Sequence, residues 1–261
     1  MTDAVLTQLD DGLMTITLNR PEAANGFDFE LAEQLHAAAI EADQSAEVRA
    51  VLLTGAGRFF SAGGDVKLFA GAGDDVGRSL HRLTTHIHGA AALFHRMDAP
   101  VVVAVNGVAA GGGFSLSLCG DLVVAGESAT FMMAYTTVGL SMDGTSSYFL
   151  PRLIGLRRTQ ELLLTNRRLS AAEALDWGLI TRVVPDDRLL DEARALAAGL
   201  AAGPVACHGV CKRLLAQSFG NGLETQSELE ARGIADTSRG PEGQEGLGAF
   251  MEKRKPDFRS S

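Results

Sequence analysis

The stretch PVVVAVNGVAAGGG, residues 100–113, decides the fold. Val101 to Val105 run without polar alternation, the pattern of a strand covered on both faces within a parallel sheet. Asn106 and Gly107 turn the chain. Three glycines, Gly111, Gly112 and Gly113, then lead into Phe114 to Cys119, read as a short helix. Upstream, Val48 to Thr54 is a second apolar, β-rich run, followed by the turn Gly55 to Gly57 and a second small-residue loop, Ser61–Ala–Gly–Gly64. Downstream, Asp121 to Ala125 is a third strand and Ile180 to Val184 a fourth. Near the start, Leu13, Thr15 and Thr17 alternate with Met14, Ile16 and Leu18.

Helical spacing fills the intervals. Leu31, Leu35, Ala38, Ala39 and Ala42 recur at three to four residues behind Asp28, a candidate N-cap. Leu80 to Met97 has the same spacing, and Gly71 to Gly77 before it reads as a surface loop. Phe131 to Ser147 reads as loop and short turns, and Tyr148 to Ile154 and Arg158 to Leu164 as helices broken at Pro151 and Gly155. Ser170 with Glu173 forms a capping box. From Asp187 onward the chain is helical to Met251. Strands alternating with helices, then helices alone, give an α/β class. The expected organisation is a core over residues 1–190 and a helical region over residues 191–261.

With 261 residues, 46% of them hydrophobic, the chain can build a substantial core. A net charge of −9 and short, scattered basic clusters exclude a polyanion-binding face, so no nucleic-acid partner is expected. The longest apolar run is too short to span a bilayer, and the N-terminus lacks a basic-then-apolar leader. The expected location is the cytoplasm, with no membrane partner and with Cys119, Cys207 and Cys211 as free thiols. No G-x-G-x-x-G opens a helix after the first strand, and no G-K-[ST], H-E-x-x-H or G-x-S-x-G occurs.

Three features bear chemistry. Glycines in the loops 62–64 and 111–113 let backbone N–H groups approach a ligand, and two such donors aimed at one oxygen make an oxyanion hole; tight strand-to-helix packing uses the same residues. Asp143, ahead of a helical segment, reads from pattern alone as an N-cap or Asx-turn, and Asp121 as a structural carboxylate. His81, His88 and His95 recur every seven residues on one helix face, with His86 off the stripe. Seven residues of helix span about 10 Å, too far for one metal ion, so no metal site is expected.

The segment 104–113, AVNGVAAGGG, resembles the signature of the crotonase (enoyl-CoA hydratase/isomerase) superfamily. Further stretches resemble it in order: LNRP at 18–21, FSAGGDVK at 60–67, FLPRLIG at 149–155, residues 171–184, and EKRKPDF at 252–258. The resemblance implies a repeated ββα spiral with a helical C-terminal trimerisation region, hence a homotrimer or a dimer of trimers. It implies an acyl-CoA substrate and no cofactor beyond the coenzyme A moiety of that substrate. It assigns the N–H groups of Gly64 and Gly112 to the thioester oxygen. Arg20, Ala24, Ala62, Asp65, Val66 and Lys67 fall in the stretches that line the CoA site, and Lys253 and Phe258 in the basic C-terminal segment that approaches CoA, sometimes across the trimer interface.

The chain departs from the hydratases of that superfamily where it matters most. Their two catalytic glutamates correspond to Ser115 and Tyr135, and neither side chain titrates near neutral pH. Adding water to an enoyl thioester needs a base for the water and a proton for the α-carbon. Asp143 instead resembles the aspartate of the superfamily's double-bond isomerases, in which one carboxylate moves a proton between carbons. The expectation is an enoyl-CoA isomerase. The alternatives are a 4-chlorobenzoyl-CoA-type dehalogenase with Asp143 as nucleophile, an atypical hydratase, and a non-catalytic acyl-CoA-binding paralogue. The dehalogenase likeness covers Gly139 to Tyr148, Gly155 to Arg158 and Leu164 to Arg167, and makes His88 the residue that helps water attack the aryl ester. Against it, Tyr135 replaces a tryptophan and Gly64 an aromatic of those enzymes.

Overall fold

The computed structural model describes residues 3–71 and 73–260, the side chain of Lys67 excepted. Its elements run β1 (Val5–Asp10), β2 (Leu13–Leu18), α1 (Phe29–Gln44), β3 (Ala50–Gly55), β4 (Phe59–Ser61), α2 (Val66–Ala70), α3 (Val76–Arg96), β5 (Val101–Val105), β6 (Val108–Ala110), α4 (Gly112–Ser117), β7 (Leu122–Gly126), β8 (Thr130–Met132) and α5 (Ser146–Thr165). The chain continues through β9 (Leu169–Ser170), α6 (Ala171–Asp176), β10 (Arg182–Val184), α7 (Leu189–Ala201), α8 (Val205–Ser218), α9 (Leu223–Arg239) and α10 (Pro241–Glu252).

The large sheet has the order β1-β2-β3-β5-β7-β10, parallel except for the β1–β2 hairpin. Its strands are apolar at successive positions because both faces are covered. Val51, Leu53, Val101 and Val103 point into the main core, while Leu52, Val102, Ala104 and Val124 pack with Ala193 and Ala197 of α7 on the opposite face. Burying each such Val or Leu contributes about 1.5–3 kcal/mol. Helix α7 therefore lies on the sheet, and α8 to α10 follow it.

A second, smaller sheet positions the site. Its order is β4-β6-β8-β9, with β4, β6 and β8 parallel. Three times the chain leaves a strand of the large sheet, turns tightly, adds a short strand to the small sheet and enters a helix: β3–β4–α2, β5–β6–α4 and β7–β8–α5. This is the ββα spiral. Because β4, β6 and β8 are parallel neighbours, with the register shifting by a bulge between Phe59 and Ser61, the loops that follow them emerge side by side. Those loops carry Gly64, Gly112 and Asp143.

Asp28 caps α1, accepting from the Leu31 N–H at 2.9 Å, and the Ser170–Glu173 capping box is present. The Ser170 N–H, Arg167 and the Ser170 hydroxyl hold the Glu173 carboxyl at about 2. Asp121 is structural: its Oδ2 accepts from the Val101 N–H at 2.8 Å and pairs with the half-buried Lys212 at 2.7 Å. Three details differ from the sequence reading. Helix α5 runs through Pro151 and breaks at Gly155 alone, where φ is 78°. Helix α3 begins at Val76, inside the expected 71–77 loop, of which Ala72 lies outside the described residues. The segment 131–147 includes the end of β8 and a 3-10 turn, Tyr135–Val138. Two- and three-residue strands are too short for alternation to register, so β4, β6, β8 and β9 left no periodic signal.

Candidate active site

The loops after β4, β6 and β8 enclose a cavity of about 470 Å³. Its walls are largely apolar, with Phe27, Phe69, Leu83, Ile87 and Met132 among them. Among the described residues that line it, Asp143 is the sole carboxylate.

Gly64 and Gly112 both line the cavity, and among the described residues no protein acceptor takes either N–H. Their loops touch. A Cβ on Gly63, whose φ is +89°, would lie 2.6 Å from the Ala110 carbonyl oxygen and 2.9 Å from the Gly112 nitrogen. The glycine is required both by the left-handed backbone and by this approach. Phe27 and Gly64 form an isolated parallel bridge, with the Phe27 N–H donating to Gly63 at 2.7 Å and the Asp65 N–H to Phe27 at 3.0 Å. That bridge uses the Gly63 carbonyl and the Asp65 N–H, and the Gly63 N–H donates to Ser61 Oγ at 3.1 Å, so the N–H left unpaired between them is that of Gly64.

Asp143 is not an N-cap. Helix α5 starts after Thr145, which makes no side-chain cap bond, and the Asp143 side chain turns away from it to His88. His88 Nε2 lies 2.9 Å from Asp143 Oδ1; against an ionised carboxylate the ring nitrogen donates. Among the described residues no donor meets Oδ2. Gly144, at φ +63°, reverses the chain here, and a Cβ on it would fall 2.7 Å from that of Ser115.

The histidine stripe of α3 faces this segment. His81 lines the cavity, His88 meets Asp143, and His95 packs edge-on against the rings of Tyr148 and Phe149. His86 lies off the stripe, against His36 and Glu33. No group of three His, Cys, Asp or Glu among the described residues is arranged to hold a metal.

Tyr135 lines the cavity, its hydroxyl 2.8 Å from Ser115 Oγ. Burial pushes the phenol up, so it stays protonated at neutral pH. Ser146, which sequence reasoning passed over, donates its hydroxyl to the Asp143 carbonyl at 2.7 Å. A serine three residues after an aspartate at a helix start is the signal that could have found it. Phe27 and Phe69 were also missed. Their rings cover Gly112 and Gly64: a Cβ would come within 3.0 Å of Phe27 and 2.7 Å of Phe69. Only the folded chain brings them there.

The residues expected to line a CoA site divide. Ala62 and Val66 line the cavity. Ala24, at φ +52°, accepts from the Ala62 N–H at 2.9 Å. The Arg20 guanidinium is engaged within the chain, donating to Gly26 O at 2.6 Å and pairing with Asp28 at 2.9 Å, with Asp65 at 4.0 Å. The Lys67 side chain lies outside the described residues. Lys253 ends α10 in a left-handed conformation, and Phe258 lines a different cavity, beside α8 and α10; within one chain neither reaches the cavity of Asp143.

The enoyl-CoA hydratase/isomerase family profile matches residues 8–261. The chain belongs to the enoyl-CoA hydratase/isomerase family. It is 38% identical over 262 residues to the 1,2-epoxyphenylacetyl-CoA isomerase of Escherichia coli (strain K12), covering 99% of each chain. It is 33% identical over 252 residues to a 4-chlorobenzoyl coenzyme A dehalogenase of an Arthrobacter species, covering 96% of this chain and 90% of that one. The crystal structure of an enoyl-CoA hydratase from Polaromonas sp. JS666 superposes with a TM-score of 0.92 at 32% identity, covering 97% of this chain and 98% of that one. As a member of this enoyl-CoA hydratase/isomerase family the chain is an acyl-CoA-processing enzyme. No single described helix is long and apolar enough to cross a membrane.

Proposed function

We propose that this member of the family is an enoyl-CoA isomerase. The observation that carries the reading is that one carboxylate, Asp143, lines a cavity also lined by two glycines with unpaired N–H groups. With the thioester oxygen on the Gly64 and Gly112 N–H groups, the Asp143 carboxylate takes a proton from the α-carbon. Negative charge develops on that oxygen as the enolate forms, and the two donors stabilise it. Asp143, now protonated, delivers the proton to the γ-carbon, and the double bond moves into conjugation. His88 donates to Oδ1 and leaves Oδ2 for the transfer. No second carboxylate is needed, which fits Ser115 and Tyr135 at the positions where a hydratase needs acids and bases.

A dehalogenase reading has support of its own. The His88–Asp143 contact suits a carboxylate nucleophile with a histidine at hand for water, and Phe69 brings an aromatic ring against Gly64. One panel separates the two. Given 3-enoyl-CoA in deuterated water, the enzyme is expected to form the conjugated 2-enoyl product, and given 4-chlorobenzoyl-CoA to release no chloride. Chloride release with no isomerisation would reverse the assignment. Hydration product alone would point to an atypical hydratase, and acyl-CoA binding without any turnover would defeat the isomerase reading.

We infer further that three chains assemble through the C-terminal helices. Leu215, Phe219, Leu223, Ile234, Phe250 and Met251 are exposed apolar side chains on α8 to α10 or, for Phe219, at the C-terminal cap of α8, Phe250 at 80%. Apolar surface on that scale marks an interaction face. Light scattering is expected to give three or six times the chain mass of 27.4 kDa; a monomer in solution would refute the assembly.

A further inference from the structure

Four groups able to donate lie within reach of the Asp143 carbonyl oxygen: the Ser146 hydroxyl at 2.7 Å, the Ser115 hydroxyl at 2.9 Å, the Tyr135 hydroxyl at 3.2 Å and the Ser146 N–H at 3.3 Å, with Ser115 and Tyr135 sharing their two protons between this oxygen and each other. A carbonyl oxygen has two lone pairs, and the turn at Ser146 supplies two donors without help. The other two come from different parts of the chain. Ser115 belongs to α4, the helix whose first residue is Gly112, and Tyr135 to the 3-10 turn after β8. Both have another partner available: Ser115 Oγ lies 3.2 Å from Gly111 O, and the two hydroxyls are 2.8 Å apart. Ser115 is fully buried, with Gly144 packed directly against it.

We propose that Ser115 and Tyr135 are positioning residues: a hydroxyl strut that ties the Asp143 backbone to helix α4 and so fixes the carboxylate relative to the Gly112 N–H. The inference rests on the isomerase reading. A proton transfer at carbon needs base and oxyanion donor in a set relation to one substrate, because both act on the same three-atom unit. The relation is carried by a single helical turn, Gly112 to Ser115, and one hydrogen bond, Ser115 to Asp143. The two positions at which hydratases place carboxylates here hold the one carboxylate from behind. They touch its main chain and not its reacting oxygens.

Displacing a reacting group by about 1 Å costs on the order of 100-fold. The test compares Tyr135→Phe, Ser115→Ala and the double variant, with kcat expressed per acyl-CoA-binding site and KM measured beside it. The double variant is expected to lose about 10- to 100-fold in kcat with KM within about twofold, and Tyr135→Phe alone, which removes one oxygen, to lose less. A kcat per site within twofold of the parent in the double variant overturns the strut. So does a loss that merely tracks the number of binding sites lost, since that is damage to the fold. Asp143→Asn is run in parallel. An inactive Asp143→Asn beside an unaffected double variant sinks the strut alone; an active Asp143→Asn removes the base and the strut with it.

Discussion

Asp143→Asn is expected to lower isomerase kcat by about 10²- to 10⁴-fold while acyl-CoA affinity stays within a few-fold. The amide is nearly isosteric and can still accept from His88 Nε2 through its carbonyl oxygen, so the loop keeps its packing. The main-chain carbonyl of residue 143 keeps its contacts with Ser115, Tyr135 and Ser146, because these never touched the side chain. What disappears is the one carboxylate among the described residues lining the cavity, the group proposed to take the proton from carbon and hold it. Binding draws on the apolar walls and on the glycine N–H groups, and neither is altered. The expected signature is therefore a fall in kcat and in kcat/KM together. Deuterium exchange at the α-carbon should fall with it, because the same proton transfer starts both. Parent-like kcat in the variant would show that another group is the base. Parent-like α-exchange with lost isomerisation would show that Asp143 only returns the proton.

The fold was legible because its chief signals are local. The run Val101 to Val105 lacks alternation, and the structure shows why: odd and even positions enter two different cores. Asp28 and Ser170 announced their helices by side-chain chemistry that acts over three residues. From pattern alone Gly64 and Gly112 were legible as two separate glycine loops; their convergence on one oxygen came only from the family resemblance, since the adjacency depends on β4 and β6 pairing across 46 intervening residues between Ser61 and Val108. Asp143 was the harder case. From pattern alone it looked like a cap, and only the folded chain shows its side chain leaving the helix for His88 on α3. Ser115 and Tyr135 were legible by what they are not. That they grip the Asp143 carbonyl is a tertiary contact between three elements, and no spacing rule encodes it.

Gly63→Ala carries the second large effect, and it tests whether the two glycine loops work as one unit. At φ +89° an alanine costs about 1–2 kcal/mol from backbone conformation alone. The added Cβ also lands 2.6 Å from the Ala110 carbonyl oxygen and 2.9 Å from the Gly112 nitrogen, both main-chain atoms that cannot rotate aside. The loops must therefore part. Parting them moves the Gly64 N–H relative to the Gly112 N–H, and a displaced oxyanion donor costs about 10²- to 10³-fold in kcat. The variant is expected to show both effects, a lower thermal midpoint and a kcat reduced at least 100-fold in the fraction that remains folded. The carbonyl stretch of a bound, non-reacting acyl-CoA distinguishes them. In the parent it should shift to lower frequency than in water, as two N–H groups polarise the thioester; in Gly63→Ala most of that shift should vanish. A variant that is destabilised yet keeps the full spectral shift and full kcat per folded site would mean that the loops are joined only for packing. The oxygen would then have to be held by something other than this pair of amides.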